Sequence, residues 1–286
     1  RKIIMTKFEK KVDFIVTVQV VDANPNGDPL NGNYPRTDLE GLGVMSDVSI
    51  KRKIRNRMQD MGYNIFVKSN DRIDDGFRSL QKRYQNLFSP KDIDDEIYKR
   101  ACDEWLDVRS FGQVITFDKK SIGIRGPVSI SMAKSLSPVN ITSMQITRST
   151  NGMEAEGRSS DTMGTKPFVE YGVYLIKGSI NAYFAEKTGF SNEDVDILKE
   201  SLRTLFVNDS SSARPEGSMD VKEIYWFTHP SKLGVISSSK VFDMLTYKQL
   251  DSFDVHSYED YQIHLDEKKI EEAGLLGLKF EHMYGL

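Results

Sequence analysis

Residues 12–20 carry the pattern that most limits the fold. Val12, Phe14, Val16, Val18 and Val20 alternate with Asp13, Thr17 and Gln19, the period-two signature of a strand with one buried face. An irregular Gly-, Pro- and Asn-rich stretch follows over 22–43. A helix then opens near Asp47, with Ile50, Ile54 and Met58 as an apolar edge at helical spacing. Residues 62–115 read as a largely helical insertion. Phe77, Leu80, Tyr84 and Leu87 fit one short helix, and Ser89 and Pro90 suit the cap and first position of another, continued by Ile93, Ile97, Ala101 and Trp105. Strand character returns at Ile122, Ile124, Val128, Ile130 and Met132, and residues 133–170 are polar, with Asn151-Gly152 suited to a hairpin tip. Another strand pattern covers 171–184. Ser191 and Asp194 make a capping-box-like helix start, and Val195, Leu198, Leu202, Leu205 and Phe206 form that helix's apolar face. Residues 221–228 close with a strand.

Stripped of insertions, the order is strand, helix, strand, strand, helix, strand. That is the split β-α-β order of an α+β, ferredoxin-like or RRM-like domain. The order predicts one such domain over 1–286, with insertions at 62–115 and 133–170. The fold hosts many functions. Its RNA-binding versions lay single strands across one open sheet face and the neighbouring loops.

Totals exclude several classes. With 286 residues, 38% hydrophobic residues and a mean hydropathy of −0.46, a packed core needs no oligomer. No apolar run approaches the roughly 18 residues of a membrane span, and no signal peptide is visible behind Arg1-Lys2-Ile3-Ile4-Met5, where Met5 suits a natural start. A single cysteine, Cys102, rules out an internal disulfide and a thiol-rich metal site. A cytoplasmic location without membrane contact, cofactor or metal is the expectation. Net charge is −3 and the pI near 5.9, mildly against nucleic acid. The distribution points the other way: residues 51–57, KRKIRNR, hold five cations in seven positions, and such a stripe serves as an electrostatic footprint whatever the sum.

The segment 22–57 tempts two ligand readings that fail. Asp22-x-Asn24-x-Asn26-Gly27 matches half of an EF-hand loop, but position twelve is Asn33 and the loop follows a strand. Gly41-x-Gly43-x-x-Ser46 lacks a preceding strand and the third glycine of a dinucleotide site. What survives is a loop of amides and free N–H groups feeding a helix N-terminus. Lys51 and Arg55 lie one turn apart, with Arg52 beside them, and the Ile50/Ile54/Met58 edge turns them outward. Two readings stand equally: a bed for phosphates, or a solvated basic face. Residues 134–170 carry Lys134, Arg148, Arg158 and Lys166. They read as a clamp with Met153 or Met163 as an apolar wedge, or as a surface loop. No nucleophile–base arrangement and no phosphate loop stands out. Asp22, Asp28, Asp38 and Asp47 suit turns and caps better than a metal. Cys102 reads as a core thiol, and Tyr225 and Trp226 as core rings.

Several segments together resemble one family. NPNGDP at 24–29, PRTD at 35–38 and SDVSIKRKIRNR at 46–57 are similar to the backbone subunit of type I CRISPR surveillance complexes (Cascade), within the RAMP superfamily. VRSFG at 108–112, IGIRGPVSISMAKSLSP at 122–138, ITSMQITRS at 141–149, DTMGTKPFVEYGVY at 161–174, AEKTGFS at 185–191 and FVNDSSSARPEGSM at 206–219 resemble its subtype I-C version. The resemblance covers about residues 10–245. It implies a hand: an RRM-like palm, helical fingers at 62–115 and a thumb at 133–170. It also implies copies stacked head to tail on a guide RNA (crRNA), thumbs folded over neighbours, bases displayed for a target DNA strand, and companion Cascade subunits. By this resemblance Asn24, Asn26, Arg36, Ser46, Lys51, Arg52 and Arg55 hold the RNA backbone, with Arg109 and Gln113 as further candidates. Arg148, Met163 and Lys166 belong to the thumb and its base. No catalytic residue is implied. The enzymatic rival comes from related type III subunits, which cut RNA with a loop aspartate; Asp28 or Asp38 would hold that place.

Overall fold

The structure, a computed structural model, describes residues 6–147, 149 and 163–286. Met5, Arg148, the Asn151-Gly152 turn, Met153 and Arg158 lie outside the described residues.

Strand β1 (Val12–Ala23) forms where the alternation predicts it, but both of its faces are buried, with Asp13 and Thr17 as enclosed as Phe14 and Val16. Three short strands follow: β2 (Gly27–Asp28), β3 (Tyr34–Pro35) and β4 (Leu42–Met45). Helix α1 (Asp47–Asp60) starts where the Ser46 side chain accepts the Ser49 N–H, and it buries Ile50, Ile54 and Met58 as its spacing requires.

The insertion holds α2 (Leu80–Leu87), α3 (Asp94–Glu104), α4 (Leu106–Phe111) and β5 (Gly112–Ile115), the last paired with β6 (Ile122–Arg125). Phe66, Tyr84, Ile97, Trp105 and Ile115 give it an apolar cluster of its own. Two boundaries differ from expectation. Ser79, not Phe77, precedes α2 and caps it. Ser89-Pro90 does not open α3, because the Ser89 N–H donates to the Asp92 carboxylate and the Asp92 N–H returns to the Ser89 carbonyl. That closed turn defers the helix to Asp94.

β7 (Val128–Ile130), β8 (Ala133–Pro138), β9 (Ile141–Thr147) and β10 (Met163–Ile180) come next. The described residues of the polar stretch 133–170 are therefore largely strand. β10 ends before 184 because Asn181 accepts the N–H groups of Tyr183 and Phe184 and starts α5 (Ala182–Thr188). α6 (Asn192–Arg203) carries the expected capping box, Ser191 with Asp194, and β11 (Met219–Thr228) follows. The C-terminal part adds α7 (Ser238–Phe242), β12 (Leu245–Thr246), β13 (His264–Leu265), α8 (Glu267–Leu275) and β14 (Lys279–Tyr284).

The main sheet runs β14-β11-β1-β10-β8-β4, with β7 and β9 also on β10, and its pairings are antiparallel. One face holds Phe14, Val16, Ile176, Ile224 and Trp226 under α1 and α6. The other holds Ile15, Val173, Leu175, Tyr225 and Phe227 under Val241, Met244, Tyr261 and Ala273. This corrects the expected open sheet face: the C-terminal segment, which shows little pattern in the sequence, covers it. Asp13 tolerates enclosure because Ser179 Oγ (2.6 Å) and His229 Nε2 (2.8 Å) donate to it and Lys11 Nζ lies 3.3 Å away. Among the described residues, no helix is long and apolar enough to cross a membrane.

Candidate nucleic-acid interface

The loop before α1 is built by its amides. Asn24 is buried; its Nδ2 donates to the Asn33 carbonyl at 2.7 Å and its N–H to that of Ala213 at 2.9 Å. Asn26 Oδ1 accepts the Ser46 N–H at 2.9 Å, so the loop is pinned to the start of α1. A side chain at Gly27 would run into Asn33, which explains the glycine. Arg36 reaches Asp28 at 3.5 Å. Asn24, Asn26 and Ser46 thus have scaffolding partners whatever else they touch.

The cationic run on α1 divides. Lys51 pairs with Asp47 one turn back at 3.1 Å. Arg52 donates through Nη1 to the Val67 carbonyl at 2.6 Å, and burial, with repulsion from Arg55, pulls its pKa below the ordinary arginine value. Lys53 is enclosed and paired with Asp209, burial again lowering its pKa. Arg55 does not face outward as expected: its Nε donates to Asp107, wholly enclosed, at 2.9 Å, and its guanidinium lies over Phe111. Arg57 donates to Thr204 and Asp60.

Between the loop, α1 and residues 208–214 lies a polar cleft of about 400 Å³. Asn26, Ser49, Arg52, Lys53 and Asn56 line it from the loop and α1. Ser69, Asp71 and Arg72 come from the insertion, and Asn208, Asp209 and Arg214 from the segment after α6. Four cations against two carboxylates leave the cleft net positive within an acidic protein. Arg214 Nε faces Asp209 at 3.6 Å, and Asn56 Oδ1 is fully buried without a hydrogen-bond partner.

The remaining candidates lie elsewhere. Arg109 is turned inward: its fork grips Asp194 at 2.8 and 3.0 Å and the Cys102 carbonyl at 2.6 Å. Gln113 sits on the β5–β6 hairpin and donates to the Val114 carbonyl. Met163 and Lys166 stand on a two-stranded ribbon, β9 against β10, in the register Met163↔Thr147 and Lys166↔Met144. Alternation puts them on opposite faces; Lys166 shares its face with the exposed Met144 and Ile146. Asp28 and Asp38 are held in turns, Asp28 accepting the Leu30 N–H and Asp38 those of Glu40 and Leu42 plus Lys134 Nζ at 2.7 Å. Among the described residues, no group of three His, Cys, Asp or Glu converges as metal ligands. Cys102 is buried, and burial pushes its thiol up to about 12.

A family model described as "CRISPR-associated protein Cas7" matches residues 10–266. The chain belongs to the Cas7 family. A curated Cas7 relative, the CRISPR-associated protein Cas7 of Haloferax volcanii, is 27% identical over 199 residues, 62% of this chain and 58% of the relative. The Cas7 match thus spans less than two thirds of that protein's length. A chain of a "CRISPR RNA-guided surveillance complex" is similar at a TM-score of 0.50 and 14% identity, over 95% of this chain and 87% of that one; this likeness speaks for the fold. A chain of such a complex titled "pre-nicking" aligns at 0.48 and 14%, over 76% and 78%.

Sequence reasoning missed Asn56, Arg72, Asp209 and Arg214. Lys53 was visible within the KRKIRNR run, and Asp209 and Arg214 within the FVNDSSSARPEGSM stretch. Arg72 has no local signal, because what makes it a site residue is its approach to residues 208–209 across the fold.

Proposed function

We propose that this Cas7 chain is the non-catalytic, guide-RNA-coating backbone subunit of a subtype I-C surveillance complex. The carrying observation is the net-positive cleft at the NPNG loop. Family membership supplies the context. The strand order β11-β1-β10-β7 with α1 and α6 fits an RRM-like palm. The 62–115 insertion fits fingers, and the β9–β10 ribbon a thumb reaching a neighbouring copy. Because the sheet face is covered, the guide runs over the loop and α1 and not across the sheet. A coat for any guide must read phosphate and shape, leaving sequence to base pairing with target DNA. Successive copies and companion subunits then add contacts along one polymer. The turn-bound Asp28 and Asp38 favour a scaffold over an RNA-cutting subunit.

The test is a Lys51→Glu/Arg52→Glu double variant. Arg55 is left alone, since it neutralises a buried carboxylate. RNA co-purification, read as the ratio of absorbance at 260 to 280 nm, falls to the protein-only value, while circular dichroism is unchanged. If the double variant still carries RNA, the interface is elsewhere. With weaker variants, each lost phosphate contact flattens the salt dependence by about 0.7 log units per log unit of salt.

A further inference from the structure

We infer that the outer edge of β14 is an interaction surface for a second copy of this chain, paired antiparallel about a two-fold axis at His282.

β14 ends the main sheet, and among the described residues no strand pairs with its outer side. One contact fixes which of its residues bond inward. The Gly285 N–H donates to the Lys222 carbonyl at 3.2 Å, in line with the register Glu223↔Tyr284. Antiparallel partners alternate between bonded and non-bonded pairs. Met283, Glu281 and Lys279 therefore bond to β11, and the N–H and C=O groups of Phe280, His282 and Tyr284 point out. The side chains of those three make a row of rings on one face, with His282 6.3 Å from Phe280 and 4.8 Å from Tyr284. Phe280 is 39% and Tyr284 64% exposed. Exposed edges are commonly blunted by proline, lysine, a bulge or a cover. This strand has no proline, and none of its three outward-bonding residues is a lysine.

The edge is complementary to itself. With His282 opposite its own copy, Phe280 stands opposite Tyr284 of the second copy, and every outward N–H and C=O from 280 to 284 finds a partner. The rings then meet as cross-strand aromatic pairs, which add to the strength of a sheet. A two-residue slip one way sets Glu281 against its own copy. A slip the other way leaves Phe280 unpaired. Stacking of nucleic-acid bases on the row is disfavoured by charge, because Glu223 lies 3.2 Å from His282 and Glu281 stands on the same strand. An isologous contact closes at two copies. It joins chains without RNA and is distinct from the head-to-tail contacts proposed along a guide.

The experiment is sedimentation velocity of the full chain, nuclease-treated and free of RNA, over a wide concentration range. The mass should rise with concentration from 32.6 kDa to twice that value. His282→Pro removes the donor at the two-fold centre without costing a bond to β11, since proline is tolerated at an outward edge position; it should stay a monomer. His282→Ala keeps the donor and should keep the dimer. Circular dichroism of both variants should match wild type. The register is read by single cysteines under a mild oxidant. His282→Cys should cross-link to its own copy, because opposite residues of a bonded pair have Cα atoms about 5.5 Å apart, within disulfide reach. Glu281→Cys should not, since it faces Met283 of the second copy, and the native Cys102 is buried. A wild-type chain that is monomeric throughout overturns the inference, as does a dimer that survives His282→Pro or equal cross-linking at 281 and 282. Loss of RNA co-purification in both His282 variants would assign the ring row to bases and also overturn it.

Discussion

Asp107 decides how much of the 51–57 charge is left for a ligand. It is wholly enclosed, accepting the Phe66 N–H at 2.7 Å, the Val67 N–H at 3.1 Å and Arg55 Nε at 2.9 Å. Arg55 therefore joins α1 to the insertion and is not part of a free basic face. Lys53 is spent in the same way on Asp209. The sequence shows the run and its helical register. It cannot show these partners, because the carboxylates lie far along the chain and reach α1 only through the fold. A buried pair is costly to break from one side, since the other charge stays behind. Asp107→Ala should lower stability by about 3–5 kcal/mol in urea unfolding. A loss no larger than a surface substitution gives would show the pair to be idle.

At the scale of elements, what was legible had its cause within a few residues. The apolar stripe of α1 and the Ser191/Asp194 box formed as read, and β1 formed where its alternation places it but with both faces buried instead of one. The starts of α3 and β10 were not legible, because a local turn and a long sheet pairing overrode propensity. The box also has a non-local half. Asp194 closes it by accepting the Ser191 N–H at 2.9 Å, and the same carboxylate takes both arms of the Arg109 fork. α4 is thereby tied to the N-terminus of α6. Ser191→Ala should cost about 1 kcal/mol, the usual worth of a cap. Arg109→Ala should cost several times more, because Asp194 is left enclosed and uncompensated. Equal losses in thermal melts would mean that the fork adds nothing beyond the cap.

For the whole molecule, the decisive fact is a sheet whose central strand is buried on both faces, and Asp13 shows how a polar residue sits there. From the sequence Asp13 and Thr17 mark a solvent face. In the fold they meet partners from the other end of the chain: Thr17 pairs with Tyr258, and Asp13 with His229. The Val235 N–H donates to His229 Nδ1, which leaves the ring proton on Nε2, facing Asp13. Asp13 thus links the central strand to the C-terminal cover. Burial pushes its carboxyl pKa up, but hydrogen bonds from His229, Ser179 and Ser238, with the charge of Lys11, outweigh it, and the net shift is below the ordinary 3.8. A folded-state value below the unfolded one adds stability above the unfolded pKa and loses it as pH falls through the folded pKa. Wild-type protein should therefore lose stability progressively below about pH 4. Asp13→Asn should be less stable at pH 7 by about 1–3 kcal/mol, with a shallower slope in that acid range. The two melting curves should approach each other as the acid limit is neared. If they run parallel from pH 7 to pH 3, the link between sheet and cover does not depend on the Asp13 charge.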